Sequence, residues 1–157
     1  MPLIKGQTAP DFSLIDSTKQ KVTLSEQRGN TILLLFVPAA FTGTCTKEMC
    51  STSDDLNYYN NLNCKVFVIS TDSIFVLAKW KEEQKISFPL LSDYNKEVTV
   101  LYGVNYIEFV HGMKGTSKRS AFVIDKTGII QYTEVLESAG DVPDFDKIKS
   151  VINDLAQ

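Results

Sequence analysis

The sequence predicts an α/β fold, a central mixed β-sheet flanked by helices. Three observations predict it. Thr31-Ile32-Leu33-Leu34-Leu35-Phe36-Val37 and Val66-Phe67-Val68-Ile69 are apolar runs that read as strands buried on both faces, as parallel neighbours are. Segments with helical patterning lie between the strand candidates. Late in the chain, Ala121-Phe122-Val123-Ile124 and Ile129-Ile130-Gln131-Tyr132 flank the turn sequence Asp125-Lys126-Thr127-Gly128, which makes them a hairpin. With 157 residues, 43% hydrophobic and 22% charged, the chain is the size of one domain, expected to span residues 1–157 and to bury its own core.

In chain order, Phe12-Ser13-Leu14-Ile15 and Val22-Thr23-Leu24 are short strand candidates, followed by the buried run at 31–37. A polar, helix-compatible segment covers 44–60. After the run at 66–69, Ser73 or Asp72 can cap a helix reaching about Gln84, with Ile74, Leu77, Ala78 and the Lys81 stem on one face and Trp80 packing. The hairpin follows. Pro143 opens a last helix whose Phe145, Ile148, Val151, Ile152 and Leu155 form an apolar stripe suited to the core. This order of strands and helices is that of a thioredoxin-like fold; periodicity by itself supports α/β.

Composition narrows the function classes. The net charge of -3, from 16 basic and 19 acidic residues, argues against nucleic acid or an anionic membrane as the main partner. No apolar run approaches the roughly 18 residues of a membrane span. Met1-Pro2-Leu3-Ile4-Lys5-Gly6 lacks a basic segment followed by an apolar one, so a cytoplasmic address is expected. Three cysteines, Cys45, Cys50 and Cys64, are an odd count that does not fit a secreted disulfide framework. They point to buried thiols, a metal site or redox chemistry.

The segment from Val37 to Cys50 carries the chemistry. A buried strand ends, a loop containing Pro38 follows, and Cys45 stands where a helix should start. Carboxyl ends of parallel strands are where α/β proteins place their sites. A helix N-terminus offers free N–H groups and a positive dipole end, both of which stabilise a thiolate, the reactive form. A cysteine taken alone is more often a small buried hydrophobe. The polar neighbours Thr42, Thr44, Thr46, Lys47 and Glu48 favour the reactive alternative.

Pro38-(three residues)-Thr42-(two residues)-Cys45 resembles the active-site motif of the peroxiredoxins, thiol peroxidases on a thioredoxin fold. The resemblance extends over most of the chain, through Ala9-Pro10-Asp11-Phe12, Phe88-Pro89-Leu90-Leu91-Ser92-Asp93 and Arg119-Ser120-Ala121-Phe122-Val123-Ile124-Asp125. It implies that Cys45 attacks a peroxide oxygen and becomes a sulfenic acid. Thr42 would hydrogen-bond the thiolate and the peroxide, and Arg119 would favour the thiolate and the departing oxygen. Pro38 would shape the loop and exclude water, and Glu48 would orient the arginine. The first-turn position of Glu48 suits a carboxylate in any helix. The resemblance implies a peroxide substrate, a thioredoxin- or glutaredoxin-like reductant, no cofactor or metal, and a monomer or homodimer.

The Cys45-x4-Cys50 spacing resembles the bacterioferritin comigratory protein or PrxQ group, in which the second cysteine resolves the sulfenic acid as an intramolecular disulfide. The wording Ala39-Ala40-Phe41-Thr42-Gly43-Thr44-Cys45 resembles the one-cysteine AhpE-like group, resolved by an external thiol. On an ideal helix, residues five apart are about 7.5 Å apart along the axis and ~140° around it, roughly 8.6 Å between Cα atoms. A disulfide tolerates about 7 Å, so a resolving Cys50 implies that the helix start unwinds. Cys64 reads as a buried strand residue and stays a second candidate resolver.

Weaker features are His111, read as a surface or rim residue, and a small basic patch of Lys114, Lys118 and Arg119. Phe41 with Phe109 or Val110 could line an apolar rim admitting alkyl peroxides. Two other function classes use the same cysteines. Cys45, Cys50, Cys64 and His111 could formally ligate zinc, and Cys45 could serve a redox sensor.

Overall fold

The structure, a computed structural model, describes residues 2–157. One seven-stranded sheet runs in the order β2-β1-β5-β4-β3-β6-β7. Its strands are β1 (Ser13–Asp16), β2 (Lys21–Thr23), β3 (Thr31–Val37), β4 (Cys64–Ser70), β5 (Leu90–Ser92), β6 (Ser120–Ile124) and β7 (Ile130–Val135). The helices are α1 (Gly43–Asp54), α2 (Leu56–Asn61), α3 (Ile74–Gln84), α4 (Glu97–Leu101) and α5 (Phe145–Leu155). As the apolar runs require, β3 and β4 are central and parallel, with β5 parallel to β4. The hairpin β6–β7 is antiparallel and packs β6 against the other edge of β3. Among the described residues, no helix is long and apolar enough to cross a membrane.

Successive β3 side chains point to opposite faces, and both faces are covered. Leu33, Leu35 and Val37 share one core with Val66 and Val68 of β4, Met49 of α1, Tyr59 of α2, Trp80 of α3, and Ile148 and Ile152 of α5. Ile32, Leu34 and Phe36 face the second core, with Phe67, Ile69, Phe122, Leu24, Val98 and Tyr102. All seven β3 residues are buried, which explains why the run shows no alternation.

Several boundaries differ from the expectation, each for a local reason. The segment at 44–60 is two helices because the chain breaks at Asp55 (φ -91°, ψ 5°), whose carboxylate accepts from Lys149 Nζ at 2.7 Å. Ser73 is the cap of α3, accepting from the Val76 N–H, and Asp72 is not. Lys81 buries its stem and donates to the Ile86 and Phe88 carbonyls at 2.8 and 2.6 Å, closing the end of α3. The last helix begins at Phe145, two residues later than Pro143, behind the cap Asp144, which accepts from the Lys147 N–H. Leu24 leaves β2 for a short 3-10 turn that buries it. Ile129 belongs to the hairpin turn, where Asp125 Oδ1 accepts its N–H and that of Thr127. The three-residue β5 and five-residue α4 are too short to show a period in the sequence.

Candidate active site

The site lies at the carboxyl end of β3. Pro38 is buried at the end of the strand, and the loop passes through Phe41, which has a positive φ of 65°. Thr42 is the extended N-cap residue of α1, and its carbonyl accepts the Thr46 N–H at 3.0 Å. Cys45 is therefore in the first helical turn, where N–H groups lack intrahelical partners. Its side chain belongs to the core under α1 and is 0% exposed, whereas Phe41, Thr42 and Gly43 before it are exposed.

Arg119 reaches the same point from the residue preceding β6. That strand is the antiparallel neighbour of β3, so the end of β3 and the start of β6 coincide. The guanidinium is 1% exposed. Its Nη2 donates to Cys45 Sγ at 3.0 Å and to the Ala139 carbonyl at 3.0 Å, and its Nη1 donates to Glu48 Oε2 at 2.7 Å. Glu48 lies one turn after Cys45 on α1, so both face the guanidinium. Burial pushes the Glu48 carboxyl up to about 7, although the Arg119 charge and hydrogen bond pull it down. Burial also works against the Arg119 charge, but the nearby Cys45 and Glu48 outweigh it and hold the guanidinium above its ordinary value.

The raised Glu48 value sets a pH dependence. Between about 4.5 and about 7 the folded chain keeps a proton that the unfolded chain has lost. Stability therefore falls as pH rises through that window. The expected outcome is a melting temperature that declines across it for the reduced protein, and a flatter profile for Glu48→Gln in the same calorimetric series.

Other contacts fix the loop and the first turn. The Thr42 hydroxyl donates to the Ala39 carbonyl at 2.9 Å, and Cys45 Sγ takes its hydrogen bond from Arg119. Asp72, beyond β4, accepts the Ala40 N–H at 2.8 Å and is bonded by the Ser70 hydroxyl. Trp80 Nε1 donates to the Thr46 hydroxyl at 3.1 Å, tying α1 to α3. The Ser117 hydroxyl donates to the Val37 carbonyl at 2.8 Å. Nothing in the sequence marks the Trp80 contact; for Asp72, the polar run Ser70-Thr71-Asp72-Ser73 at a strand's carboxyl end is a usable signal.

The remaining sequence candidates separate. Cys50 lies in the same unbroken helix as Cys45. It is half-buried, with its sulfur 3.8 Å from Gln84 Oε1 and 4.0 Å from the Gln84 carbonyl. All three cysteines are free thiols. Cys64 opens β4 and is registered with Thr31, at the far end of β3 from Val37, roughly 20 Å along the strands. It is buried as expected, and that burial pushes its thiol up to about 12. His111 is exposed in a short turn. The basic patch does not exist as one surface: Arg119 points inward, and Lys118 pairs with Glu137 at 2.7 Å. Phe41 and Val110 are exposed, but Phe109 stacks on Tyr106 with ring centroids 4.8 Å apart. Among the described residues, no three His, Cys, Asp or Glu side chains are grouped to hold a metal ion.

A buried thiol at a helix start, bonded to an arginine that a carboxylate also holds, can act as a nucleophile whose negative charge is compensated in place. The family model described as AhpC/TSA matches residues 5–133. Alkyl hydroperoxide reductase E of Mycobacterium tuberculosis is 37% identical over 142 residues, covering 88% of this chain and 89% of that protein. Among solved structures, peroxidoxin BcpB of Mycobacterium tuberculosis is 31% identical with a TM-score of 0.85, covering 96% of this chain and 97% of the other. A PrxQ mutant of Xylella fastidiosa superposes with a TM-score of 0.88 at 21% identity, covering 100% and 99% of the two chains, a likeness of fold.

Proposed function

The chain belongs to the AhpC/TSA family, the peroxiredoxins, and from that premise we propose that it reduces hydrogen peroxide and alkyl hydroperoxides at Cys45. The observation that carries this is the buried Cys45 sulfur 3.0 Å from Arg119 Nη2, in the first turn of α1. The thiolate attacks one peroxide oxygen. The S–O bond forms as the O–O bond breaks, its electron pair leaves on the second oxygen, and that oxygen takes a proton to become water or an alcohol. Cys45 is left as a sulfenic acid.

Arg119 stabilises the sulfur's charge and the charge passing to the leaving oxygen from within a water-poor site, where a fixed cation counts most. Glu48 orients Arg119. Pro38 closes the loop against water, and Thr42, exposed at the helix cap, presents its hydroxyl to the incoming peroxide while donating to Ala39. The proposed unit is one domain over 1–157, as a monomer or homodimer. A cytoplasmic setting suits its three free cysteines.

Cys50 is the proposed resolving residue. Its thiol attacks the Cys45 sulfenic sulfur, the S–S bond forms and water leaves. A thioredoxin- or glutaredoxin-type dithiol then returns two electrons. An intact helix holds positions five apart at roughly 8.6 Å, so α1 must unwind at its start. The run Ser51-Thr52-Ser53-Asp54-Asp55 favours this, being poor in strong helix formers. A second reading, resolution by an external thiol, is favoured by the seat of Cys50 against Gln84, away from Cys45. The experiment that separates them is peroxide oxidation of Cys50→Ser. The expected result is an unchanged rate of Cys45 oxidation, a product one oxygen heavier, and loss of dithiol-driven turnover. Full turnover by this variant with the dithiol would refute the resolving role.

A further inference from the structure

Cys45 and Glu48 are two acids served by one cation. Arg119 divides its terminal nitrogens between them, 3.0 Å to the sulfur and 2.7 Å to the carboxylate. The Glu48 and Arg119 side chains are 0% and 1% exposed, and Cys45 is 0% exposed. Glu48 Oε1 is buried without a hydrogen-bond partner among the described residues. A fully ionised carboxylate would leave that oxygen charged, dry and without a donor, which is costly. Two negative charges beside one guanidinium would also leave a net charge in the core. Among the described residues, Arg119 is the one charged side chain acting on Glu48, and Cys45 is the other acid on that guanidinium. The Thr52 hydroxyl takes only the Glu48 backbone carbonyl. While Cys45 is a thiolate, the pair is best satisfied with one proton, held on Glu48.

We propose that Glu48 stores a proton in the reduced enzyme and gives it up when Cys45 is oxidised, supplying in the overall balance the proton that the leaving oxygen takes. This rests on the peroxidase reading of Cys45. Oxidation turns the thiolate into a neutral sulfenic acid, so Arg119 then has one acid to compensate instead of two. The balance is Cys45 thiolate, peroxide ROOH and Glu48 carboxylic acid on one side. On the other are Cys45 sulfenic acid, ROH and Glu48 carboxylate. The S–O bond forms, the O–O bond breaks, one proton leaves Glu48, and the net charge of the site does not change. Glu48 acts through Arg119, as a positioning residue that also holds charge. Burial raises the Glu48 carboxyl to about 7, which keeps it partly to fully protonated from neutral pH downward.

The test is infrared difference spectroscopy of the full chain before and after one equivalent of hydrogen peroxide, in light buffer just below pH 7. Proton uptake is followed with an indicator dye, and sulfenic acid is trapped with a dione in the same sample. The expected result is loss of a protonated carboxylic-acid carbonyl band, gain of a carboxylate band, and little proton uptake from solution. Glu48→Gln should lack both band changes and take up one proton per sulfenic acid formed. Trapped sulfenic acid with no change in the wild-type carboxylic-acid band would overturn the proposal and leave the peroxidase reading standing. No trapped sulfenic acid together with no disulfide at Cys45 would overturn the peroxidase reading and this proposal with it.

Discussion

Arg119→Met is expected to slow oxidation of Cys45 by about 10²–10³-fold, the range seen when a fixed charge-stabilising group is removed from a dry site. The same change leaves Glu48 buried without its cation. Removing one partner of a buried pair costs about 3–5 kcal/mol. The Glu48 side chain is 0% exposed, so solvent offers little relief, and above about pH 7, where Glu48 is ionised beside Arg119, the carboxyl of the variant must protonate; the stability comparison belongs at that pH. Urea unfolding should report the loss, and stopped-flow fluorescence of Trp80 should report the rate. Trp80 suits this because it is buried and bonded to Thr46, the residue after Cys45. Combining Arg119→Met with Glu48→Gln is expected to restore most of the stability and none of the rate. Recovery of the rate in the double variant would contradict the role given to Arg119.

Cys45→Ser is expected to abolish peroxide reduction altogether, because a serine hydroxyl stays protonated beside Arg119 and is a far weaker nucleophile toward oxygen than a thiolate. Cys64→Ser separates the reactive thiol from a packed one. Cys64 lies at the opposite end of β3 from the site, and burial holds its thiol far above the ordinary range. That substitution should leave peroxide consumption intact, with any loss confined to stability because a hydroxyl is placed in an apolar core. A coupled assay following consumption of a dithiol reductant checks both. Residual turnover in Cys45→Ser would show a second reactive thiol.

The parts of the fold legible in the sequence are those where burial leaves a continuous pattern. The strands β3 and β4 have both faces covered, so their apolar runs mark them without knowledge of partners. The hairpin β6–β7 carries its own turn chemistry at Asp125, whose side chain bonds Thr127, Ile129 and Gln131. By contrast, β5 has three residues and α4 has five, starting after Lys96 at a positive φ of 63°. Elements that short leave no period to read.

The site divides in the same way. Cys45 is visible because a strand end and a helix start are local features, and the motif resemblance reaches Thr42, Pro38 and Arg119. The hydrogen bond from Arg119 to Glu48 joins residues 71 apart in sequence, and only the packing of β6 beside β3 makes it. Asp72 reads as a possible helix cap in the sequence, beside Ser73. Its carboxylate serves the Ala40 backbone 32 residues away, a partner that side-chain patterns do not reveal. The expected basic patch fails because Lys118 and Arg119 point in different directions, one to Glu137 at the surface and one into the core.

The most direct test of the central claim is the intact mass of the reduced protein after one equivalent of hydrogen peroxide, taken under denaturing conditions with free thiols blocked, followed by peptide mapping. The expected result is rapid consumption of Cys45, with loss of two hydrogens and a peptide linking Cys45 to Cys50. Gain of one oxygen on Cys45 would keep the peroxidatic role and move resolution to an external thiol. An unchanged mass with Cys45 still free would contradict the account.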